Sequence, residues 1–391
     1  PWKRDLLVEI PNTGGRRFWA KNVPASGYRC YSVPSEKKIS SEICDKAVIE
    51  NKFFKFTLDR TKGGIISVIN KKTKKEMVDR NAPYAFGTYM YERFDSIQNL
   101  QYHLGCSHLN TVYGYNGRGC RGWNVRKDLP SSPSYQCAVA EYDVMEVRKV
   151  SEGTEVVLKS LSKGIIRSDV KTVVFIPEHF PWFDISVSLI DKKPDYWPEA
   201  GSIYLPVNAS RPQFRLGRLG SIVDPVTDFA KGSNRTYGCL NNGAMIADAD
   251  GKGVGLYPLD NSLMSFGEKG MCSIDPEYIP ESSLAKVCMF NTIWTINFPY
   301  WIQGNLTSRV RVWGVDSLDE ENLVIPATEA KTNAEVVRIV KESSSVRKLP
   351  SCLEGIKLSS KGFRITSFGA NPDGSGDLLR LWNTLSLDQN V

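Results

Sequence analysis

Histidine is scarce in this chain. There are three, His103, His108 and His179, in 391 residues. A Ser-His-Asp triad would have to use one of them, and no G-x-S-x-G nucleophile elbow occurs. No C-x-x-C pair exists among the nine cysteines, and their odd number leaves at least one thiol unpaired. That argues against a zinc framework and against a fully paired disulfide scaffold. No apolar run reaches membrane-spanning length, so no membrane partner is expected. Internal repeats and low-complexity tracts are absent. The net charge of +7 is modest, with acidic residues spread among the basic ones, and it does not demand a polyanion such as nucleic acid. No signal peptide is visible. Pro1 leads straight into "WKRDLLVEIPN", which reads as a strand, as expected of a piece of a longer protein.

What is present is strand pattern. In "FFKFTLDRTKGGIISVINKKTKKEMVD", from Phe53, the residues Phe54, Phe56 and Leu58 alternate with Lys55 and Thr57. Asp59 to Gly64 supplies a turn, and Ile65, Ile66, Val68 and Ile69 resume as a β-branched run. This predicts a hairpin. The lysines at 71, 72, 74 and 75 fall in the next connection and read as a solvated basic rim. "TEVVLKSLS", "SDVKTVVFIP" and "WFDISVSLIDKK" follow at turn-sized intervals, as in an antiparallel meander. "GSIYLPV", "GAMIADA", "GVGLYPL" and "RVRVWGV" continue it. One helix is predicted at "NAEVVRIVKES", with Thr332 or Asn333 as N-cap. "GFRITSFGANPDGSGDLLRLWNT" predicts two strands around a turn. The fold class is therefore mostly β, a large sandwich with few helices.

Several motifs carry possible chemistry. "GRGCRG" at Gly117 matches a dinucleotide loop, but the following Pro130 and Pro133 rule out the helix that such a loop needs. His103, Cys106 and His108 form H-x-x-C-x-H, which fits no standard zinc spacing. Glu92, Asp95, Glu199 and Asp260 are the carboxylates beside aromatics or turns, although sequence cannot set two of them at glycosidic distance. Sequons occur at Asn208, Asn234 and Asn305. Aromatics cluster in "YMYERF", "PDYWPEAG" and "NTIWTINFPYWIQGN", where ring faces and polar neighbours suit a sugar. The candidate carbohydrate-binding residues are Tyr91, Glu92, Arg93, His103, His108, Trp197, Glu199, Trp294 and Trp301. Strand alternation puts Tyr91 and Arg93 on one face, and Pro299 should interrupt the strand between Trp294 and Trp301, exposing at least one indole.

"VPASGYRCYSV" at 23–33 and the hairpin that follows resemble the region just after the catalytic part of family-38 glycoside hydrolases, the α-mannosidase-like enzymes. Glu50, Asn51, Asp59, Gly64, Ile66, Ser67 and Lys71 fall in step with that family's pattern, and Asn70 stands where the family often has Asp. "NAPYAFGTYMYERF", "WPEAGSIYLPV" and "NTIWTINFPYWIQGN" look closer still to an uncharacterised bacterial branch. The strand "GDLLRLWNT" resembles one near the family's C-terminus. The resemblance implies a galactose-mutarotase-type β-supersandwich over 46–320. It implies the end of a preceding β segment or linker over 1–45. Over 321–391 it implies a helix-containing connection and the start of a C-terminal β-sandwich. The family's zinc ligands and aspartate nucleophile lie in an N-terminal α/β barrel, and no H-x-D motif occurs here. The expectation is thus a carbohydrate-binding β region without catalytic residues or cofactor of its own, whose partners are mannose-containing glycans and a barrel in the intact protein. A periplasmic or secreted location is expected. The alternatives are a self-sufficient mutarotase, epimerase or lyase, or a scaffold for the barrel.

Overall fold

The computed structural model describes residues 3–10, 17–32, 40–95, 134–195, 197–270, 273–293, 299, 301–332, 334–337, 339, 349–360 and 362–384. Two compact units emerge: Ser40–Lys149 with Gly153–Ala327, and Pro1–Ile39 with Val150–Glu152 and Thr328–Val391.

The larger unit is a sandwich. Its ten-stranded sheet runs Ser221–Val223, Gln213–Arg218, Ala244–Ala247, Gly253–Pro258, Gly304–Val315, Trp182–Lys192, Asp169–Pro177, Gly153–Ser160, Val144–Val150, Ser40–Ile43. The six-stranded sheet runs Gln136–Val139, Thr88–Arg93, Glu199–Pro206, Leu284–Asn291, Leu263–Phe266, Tyr237–Cys239. A four-stranded sheet of Lys46–Glu50, Phe54–Asp59, Gly64–Asn70 and Lys75–Glu76 completes it. One apolar cluster joins all three, through residues such as Tyr89 and Val287, Ile185 and Val310, and Phe54 and Phe56. The Phe183 ring meets Phe56 edge-on at 4.9 Å and Phe54 at 5.7 Å. Such pairs add to plain area burial. The fold is mostly β, as the strand patterns require.

Alternation places the core. Phe183, Ile185, Val187 and Leu189 are all buried, as are Phe54, Phe56 and Leu58. The hairpin turn is a short 3-10 segment, Arg60–Lys62, capped by the Asp59 carboxylate on the Thr61 N–H and closed by Gly63 at φ 90°. A left-handed backbone of that kind favours glycine.

Two expectations need correction. The lysine run is not merely solvated: Lys71 pairs with Glu50, Lys72 with Asp316, and Lys75 reaches Asp248 and Asp250. Lys75 thereby ties the Lys75–Glu76 strand to the turn before Gly253. The helix also sits elsewhere. Among the described residues a helix spans Glu321–Lys331, whereas 334–337 have no regular structure and Val337 is exposed; 333, 338 and 340–343 of the expected helix lie outside the described residues. Leu323, Val324, Ala327 and Ala330 form its buried face. Pro326 lies inside it and cannot donate to the Asn322 carbonyl, a loss that normally breaks a helix. The Trp313 indole N–H supplies that bond instead, at 2.9 Å.

In the smaller unit, Lys3–Glu9 pairs with Arg17–Pro24 over Val8, Ile10, Phe18 and Ala20. Tyr28–Arg29 pairs with Cys352–Leu353, and Phe363–Ala370 pairs with Asp377–Asn383 as a hairpin.

Candidate functional site

The six-stranded sheet carries polar groups on both faces. Glu199 pairs in register with Arg93, and Ala200 with Glu92, on adjacent antiparallel strands. Since side chains alternate, Glu92 and Glu199 point to opposite faces. They cannot flank one glycosidic bond as an acid and nucleophile pair.

On the core-facing side, the Tyr91 hydroxyl donates to Glu199 Oε2, and the Lys192 ammonium donates to Glu199 Oε1 at 2.7 Å. Lys192 also bonds the carbonyls of Lys193 and Ile302, which uses all three of its protons. Burial pushes the Glu199 carboxyl above its ordinary value, against the pull of Lys192 and Tyr91. The same burial, with the Glu199 charge alongside, raises the Tyr91 phenol. Arg93 donates to the Tyr91 oxygen at 3.3 Å and pairs with Asp195, and its guanidinium lies over the Trp197 ring at 5.4 Å. Trp197 is half-buried, with its indole N–H on the Phe94 carbonyl. Tyr91 and Arg93 thus share a face. This side is a satisfied ion-pair cluster with little polar capacity left over.

On the opposite side, Glu92 accepts from Tyr135 at 2.8 Å and from Tyr204 at 3.4 Å. Lys286 lies over the Tyr204 ring at 5.2 Å and donates to the Glu268 carbonyl. Burial lowers the Lys286 ammonium, opposed by the charges of Glu92 and Glu268. Burial raises the Cys288 thiol to about 11. Tyr84 packs edge-on against Tyr204 at 5.2 Å. This face holds a carboxylate, an amine and three tyrosines.

The other named residues scatter. Asp260 is held by Arg309 through three side-chain bonds and one backbone bond. Asp95 is half-buried. Trp301 is 37% exposed, and Pro299 lies beyond the end of the Leu284–Asn291 strand. His103, His108, Trp294, the H-x-x-C-x-H run and the G-x-G-x-x-G run lie outside the described residues. Among the described residues, no group of three or more His, Cys, Asp or Glu is placed to hold a metal, and the described cysteines 30, 44, 137, 239, 288 and 352 are free thiols. All three sequon asparagines have side-chain bonds within the fold: Asn208 to the Glu76 carbonyl, Asn234 to the Thr236 and Asp275 amides, and Asn305 to the Asp191 amide.

Sequence reasoning missed Lys192, Asp195, Tyr204 and Lys286. The signal for Lys286 was a lone cation in the apolar strand "LAKVCMFN". For Lys192 and Asp195 there was none, because both lie at a strand end among ordinary loop charges.

No protein-family model and no curated protein sequence matches this chain. Among solved structures it is similar to a glycosyl hydrolase family 38 protein from Enterococcus faecalis, with TM-score 0.59 and 9% identity over 97% of this chain and 45% of that one. An α-mannosidase from Enterococcus faecalis V583 gives TM-score 0.60 and 10% identity, over 97% of this chain and 43% of that one. At such identity the likeness establishes a shared fold, and this chain spans less than half the length of either. A putative aldose 1-epimerase from Escherichia coli K12 superposes at TM-score 0.37, too low to carry an argument.

Proposed function

We propose that this chain is the carbohydrate-binding, non-catalytic β region of an α-mannosidase-like glycoside hydrolase of a bacterial branch. The observation that carries this reading is the fold it shares, over 97% of its length, with two such Enterococcus faecalis proteins more than twice as long. In this reading an N-terminal α/β barrel supplies the nucleophile and the zinc, and mannose-containing glycans are the ligands. The intact protein then acts in the periplasm or outside the cell.

The chain purified alone is expected to leave aryl α-mannosides uncleaved, with or without added zinc. Much of an enzyme's rate comes from reacting groups held at one ring, and this reading places those groups in the barrel. It is expected to bind mannose-containing glycans weakly in calorimetry. Zinc-dependent turnover that a chelator abolishes would overturn the reading. Upstream coding sequence for a barrel containing H-x-D would support it.

A second reading, a self-sufficient epimerase or lyase, draws on one feature. Glu92 and Lys286 put a carboxylate and an amine on one sheet face, the raw material of acid–base chemistry. Conversion of free sugars followed by NMR would favour it over simple binding.

A further inference from the structure

Register draws five polar side chains into one row across the six-stranded sheet. Thr88 lies opposite Tyr204, Tyr204 opposite Lys286, Lys286 opposite Ser265, and Ser265 opposite Tyr237. Residues directly opposite one another share a face. This is the face away from Tyr89 and Tyr91, whose rings belong to the core. Glu92 sits four residues along from Thr88, so it shares that face.

A buried row of this kind should be fully hydrogen-bonded, and it is not. Ser265 is 0% exposed and Thr88 2% exposed, and neither hydroxyl has a partner among the described residues. Lys286 is 5% exposed, and among the described residues its ammonium makes one hydrogen bond, to Glu268 O. Its three protons therefore leave two unused. A buried polar group left without a partner is costly. Two orphaned hydroxyls and an ammonium with one bond in the same row are a concentrated deficit that ligand hydroxyls or water would relieve.

We propose that this row is the floor of a subsite for one neutral sugar unit, which gives the carbohydrate-binding reading above, on which it rests, a place in the fold. Glu92 and Lys286 cancel in charge, so the floor suits an uncharged ligand. Sugar hydroxyls both donate and accept, and here they find donors on Lys286, acceptors on Glu92, and both on Ser265, while Thr88, three strands from Ser265, lies beyond the reach of the same ring. The Tyr84–Tyr204 pair offers ring surface for the sugar's C–H groups. Tyr135, exposed and bonded to Glu92, stands at the rim. Tyr91, Glu199 and Lys192, on the other face, take no part.

The test is a titration of methyl α-mannoside, methyl α-glucoside and methyl α-galactoside into the purified chain, read by calorimetry and ligand-observed NMR. It is repeated with Lys286→Met, Tyr204→Phe, Ser265→Ala and the surface control Asp260→Asn. At least one glycoside should bind, and Lys286→Met and Tyr204→Phe should each weaken it about tenfold or more, the scale of one lost buried bond. Asp260→Asn should not. If Lys286→Met does not fold, Tyr204→Phe and Ser265→Ala carry the comparison. Glycoside binding that survives these substitutions overturns the subsite and leaves the carbohydrate reading standing. No glycoside binding at all overturns both. Displacement of the glycoside by inorganic phosphate would show an anion site and overturn the neutral class. A raised melting temperature in Ser265→Ala with binding unchanged would make the row a water-filled seam, which also overturns it.

Discussion

Lys192 and Glu199 show how a single residue can hold the end of a sandwich. Their side chains are 4% and 0% exposed, and the pair is closed by Tyr91 and two carbonyls. Removing the ammonium strands a carboxylate in a dry place, so Lys192→Met should cost about 3–5 kcal/mol in urea unfolding. The double change Lys192→Met with Glu199→Leu should recover part of that loss, because an apolar pair of similar volume avoids both desolvation costs. A double mutant no better than the single would mean the damage lies in packing. Asp248 contributes to acid stability instead. Partial burial opposes its charge, but the Ala249 and Arg211 amides and the Lys75 ammonium hold its pKa at about 2, below the ordinary 3.8. A lowered folded pKa gives stability that is complete above the ordinary value and is lost as pH falls through the folded one. Unfolding midpoints should therefore drop between about pH 4 and 2 in the parent, and Asp248→Asn should flatten that limb.

Whole elements depend on partners that lie far away in sequence. The helix Glu321–Lys331 survives its internal proline because Trp313 caps the orphaned Asn322 carbonyl. Trp313→Phe keeps the ring and removes the donor, so it should cost about 1–3 kcal/mol, with loss of helical signal in far-UV circular dichroism. Gly255 belongs to the same device, since a Cβ there would fall 2.0 Å from the Trp313 ring. Gly255→Ala should be at least as damaging, by overpacking. The strands were legible in the sequence because their cause is local: Phe183, Ile185, Val187 and Leu189 alternate, and a buried face requires that. The helix was not legible, because Pro326 breaks the local rule and its compensation arrives from a strand. The site was half legible. Tyr91, Glu92, Arg93, Trp197 and Glu199 stood out as aromatics beside charges, but which of them share a face follows from register, and register is set by pairings between distant strands. Lys286 and Ser265 meet only because two strands align.

At the scale of the molecule, apolar burial is uneven. The larger unit keeps Phe183 and its neighbours wholly inside, whereas the hairpin Phe363–Ala370 with Asp377–Asn383 pairs with no other strand among the described residues. Phe368 lies directly opposite Leu379, and both are exposed, Phe368 at 57%. A two-stranded ribbon is marginal in water without a surface to pack on. Its opening free energy should therefore lie well below that of the sandwich. Phe368→Ser should change urea stability by no more than about 0.5 kcal/mol, the range of exposed substitutions. Phe183→Ala, by contrast, should cost about 3–5 kcal/mol for the cavity it leaves among Phe54, Phe56 and Phe86. Limited chymotrypsin digestion under native conditions should cut first at Phe368, Leu378 or Leu379, while the strands from Gly153 to Val315 persist as a resistant fragment. Native-state proteolysis reads the population of the open form, so the order of cleavage ranks local stabilities directly. A hairpin as slow to cut as the sandwich would mean that another surface covers Phe368 and Leu379 in solution.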